Sequence, residues 1–430
     1  MFTEVRQTRL ANGMRVITSR IPHVQSAAVG LWVGAGSRHE PEKLGGISHF
    51  LEHMLFKGTV KRSALEISQA IEGRGGYLNA FTQEESTCYY ARVSFDQLPV
   101  AFDVLSDMLL RARCSATDTA KEKQVILEEM RMYADQPQHV VQELLQASVW
   151  PKHPLGRSII GSVASVQGVS STDLLDYKSR AYVPSKLVAA FAGLVDHDAC
   201  VALVEGAFGG LPACKPARML PFKEAVKPVA AVQVGREIEQ NHLAIGVRLF
   251  GRNDDRRNIL RLLNVILGEN MSSRLFQIVR EKHGLAYSIH SSAHLQSDTG
   301  VLVVHAGLDR ERGAKALKLI SREMLRLVDS PVKAAELKRA KEYVLGQLRL
   351  GLENTSSQMM WIGDNLLSHG RFIDPEETML RTKAVTAADI QSLAQAYFRR
   401  DNVSVAAVTP MQGGGLQHPV LEDARADFPG

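Results

Sequence analysis

The sequence lacks any long run of apolar residues. Its hydrophobic stretches all stop short of the roughly 18 to 20 residues that a membrane-spanning helix needs, so we expect no membrane association. Residues 1–6 contain no apolar segment like that of a signal peptide. Together with a 45% hydrophobic and 23% charged composition, these absences predict a soluble globular protein.

Cysteine and clustered positive charge are also scarce. The four cysteines, Cys88, Cys114, Cys200 and Cys214, show no C-x-x-C spacing, which predicts free thiols in a reducing compartment rather than disulfides or zinc ligands. Lysine and arginine total 51 against 46 acidic residues, a net charge of +5. No basic block accompanies this small excess, so we expect no nucleic-acid partner.

A chain of 430 residues is longer than a single domain with one hydrophobic core usually is. An internal repeat in the sequence suggests where the domains divide. When the sequence is aligned with itself so that Gly75 matches Gly284, residues 63–78 resemble residues 272–287. Both halves then continue with strands and a helix. We therefore predict an α+β protein built from two duplicated α/β-sandwich domains. The predicted segments are a first domain at 1–215, a linker at 216–228, a second domain at 229–411 and a flexible tail at 412–430.

The stretch from Gly45 to Phe56 carries the strongest chemical signal. On a helix, His49 and His53 are four residues apart and lie on one face, where both imidazoles can bind one metal ion. Glu52 shares that face and can hydrogen-bond a water beside the ion, the position of a general base. The pattern predicts a helix with a metal-binding face.

Two histidines at this spacing also occur by chance, so a metal site requires a third ligand. Glu122, Glu128 and Glu129 lie on a predicted helix at 116–134, and Glu122 and Glu129 share one face of it. Periodicity alone does not choose among them, because a glutamate-rich helix is commonly a solvated surface. In the second half, the positions equivalent to His49, Glu52 and His53 are Asn258, Arg261 and Leu262. The second copy is predicted to have lost the metal site.

These motifs resemble those of the inverzincin peptidases of the pitrilysin and mitochondrial processing peptidase type, whose signature is the inverted H-x-x-E-H. Residues 45–58 are similar to the family's zinc helix, residues 78–82 to its substrate-side edge strand and residues 125–130 to its third-ligand helix. The resemblance covers nearly the whole chain. It implies a zinc endopeptidase with one Zn²⁺ per chain that cleaves peptides or unfolded segments bound in extended form in an enclosed chamber.

The resemblance also assigns individual residues. It selects Glu129 as the third ligand, because the separation of Glu129 from His53 agrees with the family spacing, and it gives Glu122 a supporting role beside the ligands. Glu52 is the implied catalytic base. The implied substrate contacts are Asn79, Ala80, Phe81, Arg280 and Tyr287.

Partners and location follow from the same resemblance. Because one chain carries both the metal motif and the Arg280/Tyr287 pair, we expect a homodimer acting on peptides. A catalytic subunit with a different, noncatalytic partner is one alternative. A catalytically silent scaffold or regulatory subunit is another, although such chains usually degrade the metal motif, which is intact here. The absence of targeting signals predicts a bacterial cytoplasmic protein, or a mitochondrial-matrix protein if the chain is a processed form.

Overall fold

The computed structural model describes Phe2, residues 4–214, residues 219–411, Leu416 and residues 418–430. This part of the chain forms two compact units, each assembled from three segments. The first unit comprises Met1–Met130, Ser158–Leu220 and Leu348–Pro375. The second comprises Arg131–Arg157, Pro221–Gln347 and Glu376–Gly430.

The strands in the described ranges are given in chain order. They are β1 (Glu4–Arg9), β2 (Arg15–Arg20), β3 (Ser26–Val33), β4 (Tyr77–Thr82), β5 (Thr87–Ser94), β6 (Leu187–Gly193), β7 (Ala231–Arg236), β8 (Asn241–Leu249), β9 (Ala286–Leu295), β10 (Gly300–Leu308) and β11 (Val403–Pro410).

The α-helices of the same ranges are α1 (Ile47–Leu55), α2 (Ala64–Ile71), α3 (Leu98–Arg111), α4 (Ala116–Ala134), α5 (Pro137–Val149), α6 (Val163–Gly168), α7 (Ser171–Ala181), α8 (His197–Phe208), α9 (Arg257–Asn264), α10 (Gly313–Asp329), α11 (Ala334–Gly351), α12 (Thr355–His369), α13 (Pro375–Ala384), α14 (Ala387–Tyr397) and α15 (His418–Ala426). Two π-helical segments, Val265–Glu269 and Phe276–Lys282, follow α9.

The first unit is organised around a sheet of six strands in the order β1-β2-β6-β3-β5-β4. Strand β6 pairs parallel with β2 and antiparallel with β3. Every residue of β6 is buried, as expected for a continuous apolar strand that is covered on both faces. Strand β4 lies at one edge of the sheet, so one side of its backbone has no strand partner within the described residues.

The sheet of the second unit repeats this topology. Its order is β7-β11-β8-β10-β9, and β11 again pairs parallel with one neighbour and antiparallel with the other. Strands β7, β11, β8, β10 and β9 therefore correspond to β2, β6, β3, β5 and β4. The prediction of an α+β chain with two duplicated domains is confirmed.

Each sheet is covered on both faces. In the first unit one face packs on a large core that includes Phe50, Leu105 and Phe191, and the other packs on Met359, Ile362 and Leu366 of α12. In the second unit, Val141, Leu145 and Val149 of α5 cover the corresponding face. Helix α5 precedes the second unit's strands in sequence, and α12 follows the first unit's strands.

This arrangement corrects the predicted boundaries. The units are not the contiguous stretches 1–215 and 229–411, because α5 belongs to the second unit and α12 to the first. Each sheet has an apolar face that a helix must cover, and that helix comes from the other half of the sequence. The linker predicted at 216–228 falls partly outside the described residues, and residues 219–230 contain no helix or strand.

The flexible tail predicted at 412–430 is also wrong for its described part. Residues His418–Ala426 form α15, and Leu416, Leu421 and Phe428 are buried in the second core. Helix α15 packs on β7 and α10, as α8 packs on β2 and α3. It is therefore the final helix of the duplicated fold, and the glycines at 413–415 lie outside the described residues.

The described helices include none that is long and apolar enough to cross a bilayer. Cys88, Cys114 and Cys200 are buried, Cys214 is exposed, and all four are free thiols.

Candidate metal centre

Helix α1 presents a polar face to one end of the first sheet. Its apolar residues Phe50, Leu51 and Met54 are fully buried in the first core, which fixes the rotation of the helix about its axis. His49, Glu52 and His53 then emerge on the other side and remain partly exposed. The i and i+4 histidines lie next to each other on this face, with ring centroids 4.5 Å apart and ring planes inclined by 60°.

The N-terminus of α1 is held by the preceding loop. The carboxylate of Glu40, itself buried, accepts hydrogen bonds from the backbone N–H groups of Gly46 (2.7 Å) and Ser48 (2.8 Å). A remote carboxylate thus satisfies two of the N–H groups that a helix start leaves without partners. Gly46 has φ of 90°, and a Cβ there would lie 2.4 Å from the carbonyl oxygen of Ile160. Only glycine fits this position.

The third candidate ligand comes from α4. Oε2 of Glu129 lies 3.7 Å from Nε2 of His49 and 3.6 Å from Nε2 of His53. Among the described residues, these three form the group of potential ligands whose donor atoms lie within 4.8 Å of one another. Glu128 faces away and is exposed, because it is one residue, or about 100°, from Glu129 around the helix.

The donor set fits a zinc ion. Two imidazole nitrogens and a carboxylate oxygen are common zinc ligands, and ligands about 2.0–2.2 Å from a tetrahedral ion lie roughly 3.3–3.6 Å apart. Oε2 of Glu129 is buried and has no hydrogen-bond partner. A buried carboxylate oxygen without a partner is costly, and a cation between it and the two Nε2 atoms removes that cost.

Glu122 orients His53. Its Oε1 lies 2.9 Å from Nδ1 of His53, and its Oε2 accepts a hydrogen bond from Nζ of Lys57 at 2.8 Å. Burial alone raises the pKa of Glu122, but the hydrogen bonds from His53 and Lys57 lower it overall. An ionised carboxylate can only accept, so Nδ1 of His53 is the donor, and Nε2 is the ring nitrogen that faces Glu129.

The surroundings of His49 favour its neutral form. Burial, with a smaller contribution from His53, lowers the pKa of His49 to about 3. Neutral imidazole is the form that binds a metal ion. Nδ1 of His49 is buried without a hydrogen-bond partner.

Glu52 contacts the edge strand rather than the candidate ligands. Its Oε2 accepts a hydrogen bond of 2.5 Å from Oγ1 of Thr82, the last residue of β4. Burial raises the pKa of Glu52, the hydrogen bond from Thr82 and the nearby His53 lower it, and Glu129 raises it further, for a net increase. Thr82 was not singled out from the sequence, since no periodic pattern relates residues on different elements.

The three predicted substrate contacts of β4 differ in their surroundings. The backbone N–H of Ala80 donates to Oδ1 of Asn79 at 2.8 Å, so it faces away from β5. Nδ2 of Asn79 donates to the Tyr77 hydroxyl. The ring of Phe81 packs edge-on against Trp32, with centroids 5.5 Å apart. Because backbone groups alternate in direction along a strand, the N–H and C=O of Phe81 point toward β5 where those of Ala80 point away.

The other predicted positions lie in the second unit. Tyr287, at the start of β9, is 78% exposed, and the guanidinium of Arg280 lies 4.7 Å above the Phe276 ring. At the positions equivalent to the metal motif, Arg261 forms an ion pair with Glu269, while Asn258 and Leu262 are buried. No cluster of potential metal ligands occurs there among the described residues.

Known proteins share both the sequence pattern and the fold. The family model "Insulinase (Peptidase family M16)" matches residues 15–163, and "Peptidase M16 inactive domain" matches residues 168–344. The chain is 40% identical over 393 residues to an uncharacterized zinc protease of Mycobacterium bovis, covering 91% of this chain and 90% of that protein. It is 36% identical over 406 residues to an uncharacterized zinc protease of Bacillus subtilis, covering 94% and 98%.

A solved structure supports the fold assignment independently. The crystal structure of a protease from Helicobacter pylori superposes with a TM-score of 0.88 at 21% sequence identity, covering 95% of this chain and 100% of that one. The family matches together span more than half of the sequence, and the first covers both histidines and Glu129. The chain belongs to peptidase family M16.

Proposed function

We propose that the protein is a zinc-dependent endopeptidase that hydrolyses peptides or unfolded polypeptide segments bound in extended form. One observation carries the proposal: a buried carboxylate oxygen of Glu129, without a hydrogen-bond partner, lies 3.6 and 3.7 Å from the Nε2 atoms of His53 and His49. The zinc protease names of the bacterial relatives support the choice of metal.

In this proposal, His49, His53 and Glu129 hold one Zn²⁺, and Glu122 fixes the tautomer of His53. When bound, zinc supplies a Lewis acid that polarises a carbonyl oxygen and increases the acidity of water. Glu52 accepts the proton of the attacking water and then donates it to the amine that leaves when the peptide bond breaks. The carboxylate ends the cycle ionised, as it began.

The exposed edge of β4 is the proposed peptide-docking element. Because the N–H of Ala80 faces away from β5 and is satisfied only by the adjacent Asn79 side chain, a peptide carbonyl can replace that contact. The peptide then pairs with β4 as an additional strand, through backbone hydrogen bonds that depend little on its sequence. Asn79, Ala80 and Phe81 are the proposed contacts.

The second unit is proposed to contribute Arg280 and Tyr287 to substrate binding. The 78% exposure of the Tyr287 side chain supports a binding role, since a large aromatic ring this exposed contributes little to folding. Replacing Tyr287 by Phe should raise KM or lower kcat while leaving the zinc content unchanged. Equal kinetics in both proteins would remove Tyr287 from the substrate site.

The proposal is tested by incubating the purified chain with a mixed peptide library, with and without a chelator, and reading the cut sites by mass spectrometry. We expect cleavage that the chelator abolishes and that added Zn²⁺ restores. Metal analysis should find one zinc per chain. A protein that carries no stoichiometric zinc and cuts nothing would instead be the silent scaffold or regulatory subunit.

The role of Glu52 is tested separately. Glu52→Gln removes the proton acceptor but none of the three proposed ligands, so the variant should bind zinc and show no turnover. Glu128→Gln, on the exposed face of α4, is the matched control and should retain both properties. Turnover by Glu52→Gln would exclude Glu52 as the base.

We propose a homodimer as the active assembly. Sedimentation of the purified protein should give twice the chain mass, and that species should be active. An inactive chain that gains activity only with a second, different protein would favour the heteromeric alternative.

A further inference from the structure

The contact between Thr82 and Glu52 carries the further inference. We propose that Thr82 is a positioning residue for peptide hydrolysis: its hydroxyl holds one oxygen of Glu52, so that the other faces the reacting water. The proposal rests on the proposed endopeptidase function and adds to it a residue from a different element, β4. In this proposal, β4 both binds the substrate and positions the catalytic base.

The geometry of the contact is specific. The 2.5 Å separation of Oγ1 of Thr82 from Oε2 of Glu52 lies in the range typical of a hydroxyl that donates to an ionised carboxylate. Both side chains are partly buried, so water competes weakly for either group. The hydrogen bond therefore restricts the carboxylate more than a surface contact would.

Thr82 is itself held in place. Thr82 pairs with Thr87 of β5, and their Oγ1 atoms are 3.5 Å apart. The Thr87 hydroxyl donates to the carbonyl oxygen of Ala35 at 3.0 Å. Because an ionised carboxylate can only accept, the single hydroxyl proton of Thr82 is donated to Glu52. A β-branched side chain in a strand also has few χ1 rotamers.

Glu52 needs such a restraint. A glutamate side chain has three rotatable bonds and loses considerable rotamer freedom when fixed. Its neighbour His53 is restrained by Glu122, whereas the contact from Thr82 restrains Glu52. Without it, the carboxylate can rotate away from the candidate metal centre, and a displacement of about 1 Å can reduce a catalytic rate by roughly 100-fold.

The position of Thr82 also relates the base to the substrate. Ala80 and Thr82 are two residues apart on β4 and share one face of the strand. A peptide that pairs with the backbone at Ala80 is therefore placed at a fixed distance from the hydroxyl that holds Glu52. The backbone from Ala80 to Thr82 therefore positions both the peptide and Glu52.

Kinetics of two Thr82 variants test the proposal. Thr82→Val keeps the shape of the side chain but removes the hydroxyl, and we expect kcat to fall about 10- to 100-fold with KM and zinc content unchanged. Thr82→Ser restores the hydroxyl and should recover kcat to within about threefold, because a serine hydroxyl donates the same bond.

Thr8→Val is the matched control. Thr8 lies on β1, at the opposite edge of the same sheet, and its hydroxyl contacts His197 at 2.9 Å. This variant loses a threonine hydroxyl contact without touching Glu52, so its kcat should equal that of the wild type.

A second measurement is independent of activity. A double-mutant cycle of Thr82→Val and Glu52→Ala compares the free energies of unfolding of the zinc-free proteins in denaturant. If the two side chains interact, the double variant should lose less stability than the single variants combined. Additive losses in the free energy of unfolding would show that the two side chains do not interact.

The kinetic outcomes separate this proposal from the function on which it rests. Wild-type kcat in Thr82→Val, beside an active wild type, would overturn only the role of Thr82. A Thr82→Val loss that Thr82→Ser does not rescue, or that accompanies loss of zinc, would show a structural role and overturn it as well. A zinc-loaded wild type that cuts no peptide would instead overturn the proposed function.

Discussion

At the scale of single residues, His53 shows how one hydrogen bond orients a candidate metal ligand. The carboxylate of Glu122 fixes the proton on Nδ1 of His53 and thereby directs Nε2 toward Glu129. Lys57, in the turn that follows α1, donates to the second oxygen of Glu122 at 2.8 Å. The orientation of the imidazole thus depends on two residues that do not touch the proposed metal position.

Glu122→Gln should weaken zinc binding. The amide is neutral, so the variant loses the charge-assisted hydrogen bond that fixes the imidazole, and changes of this kind cost about 10- to 100-fold in metal affinity. The measurement is a chelator competition for zinc. Glu128→Gln, six residues further along α4, should leave the affinity unchanged; equal affinity of the Glu122→Gln variant would show that His53 needs no such partner.

His305 supports a prediction about pH. It lies directly across from His290 in the second sheet, with ring centroids 5.1 Å apart. Burial, with smaller contributions from His290 and His294, lowers the pKa of His305 from 6.5 to about 3. Between those pH values the unfolded chain binds a proton at His305 that the folded chain does not. The free energy of unfolding therefore falls as the pH decreases from 6.5 toward 3.

Replacing His305 by Gln should reduce this pH dependence. Urea unfolding at pH 8 and pH 5 would show a smaller loss of stability in His305→Gln than in the wild type. His23→Gln, in an exposed loop, serves as the control for removing a histidine. An unchanged loss of stability in His305→Gln would mean that His305 does not contribute to the acid sensitivity.

At the scale of elements, the entry to α1 determines where the candidate ligands stand. The backbone at Gly46 passes so close to Ile160 that a Cβ would lie 2.4 Å from its carbonyl oxygen. The N–H of Gly46 also donates to Glu40. Helix α1 is therefore anchored at its N-cap residue, Gly46, by one close backbone approach and one carboxylate.

Gly46→Ala should destabilise the protein and reduce its zinc content. The substitution combines a clash against backbone with a φ of 90°, which costs a non-glycine residue about 1–3 kcal/mol before the clash is counted. Denaturant unfolding and metal analysis measure both effects. Gly168→Ala is the control, because a Cβ there has no atom within 4 Å; equal stability of the two variants would contradict this account of α1.

At the scale of the whole molecule, the duplication explains elements that look unrelated in sequence. Helices α5 and α12 hold equivalent places in the repeat, and each covers a sheet of the unit built mainly from the other half. Helices α8 and α15 also correspond, which accounts for an ordered helix near the end of the chain. Only the first copy keeps the candidate metal ligands.

Leu421→Ala should destabilise the protein if α15 is part of the second core. Leu421 is fully buried, and removing a buried leucine side chain costs about 2–5 kcal/mol. The midpoint of denaturant unfolding measures the effect. Asp423→Ala, on the exposed face of the same helix, should leave the midpoint nearly unchanged; the same result for Leu421→Ala would restore the expectation of a loose tail.

The sequence alone determined what depends on local spacing. The helical period places His49 and His53 on one face, and the internal repeat predicts the duplicated α+β fold. Periodicity also showed that Glu122 and Glu129 share one face of α4, but it did not choose among Glu122, Glu128 and Glu129; the choice of Glu129 came from the family resemblance.

Only the tertiary structure decided which distant groups meet. The approach of Glu129 to the two histidines, the hydrogen bond from Thr82 to Glu52 and the cap that Glu40 provides for α1 join residues on different elements. The exchange of α5 and α12 between the units is of the same kind. Helical and strand periods fix which face a side chain occupies, whereas the packing of buried apolar surfaces fixes which faces come together.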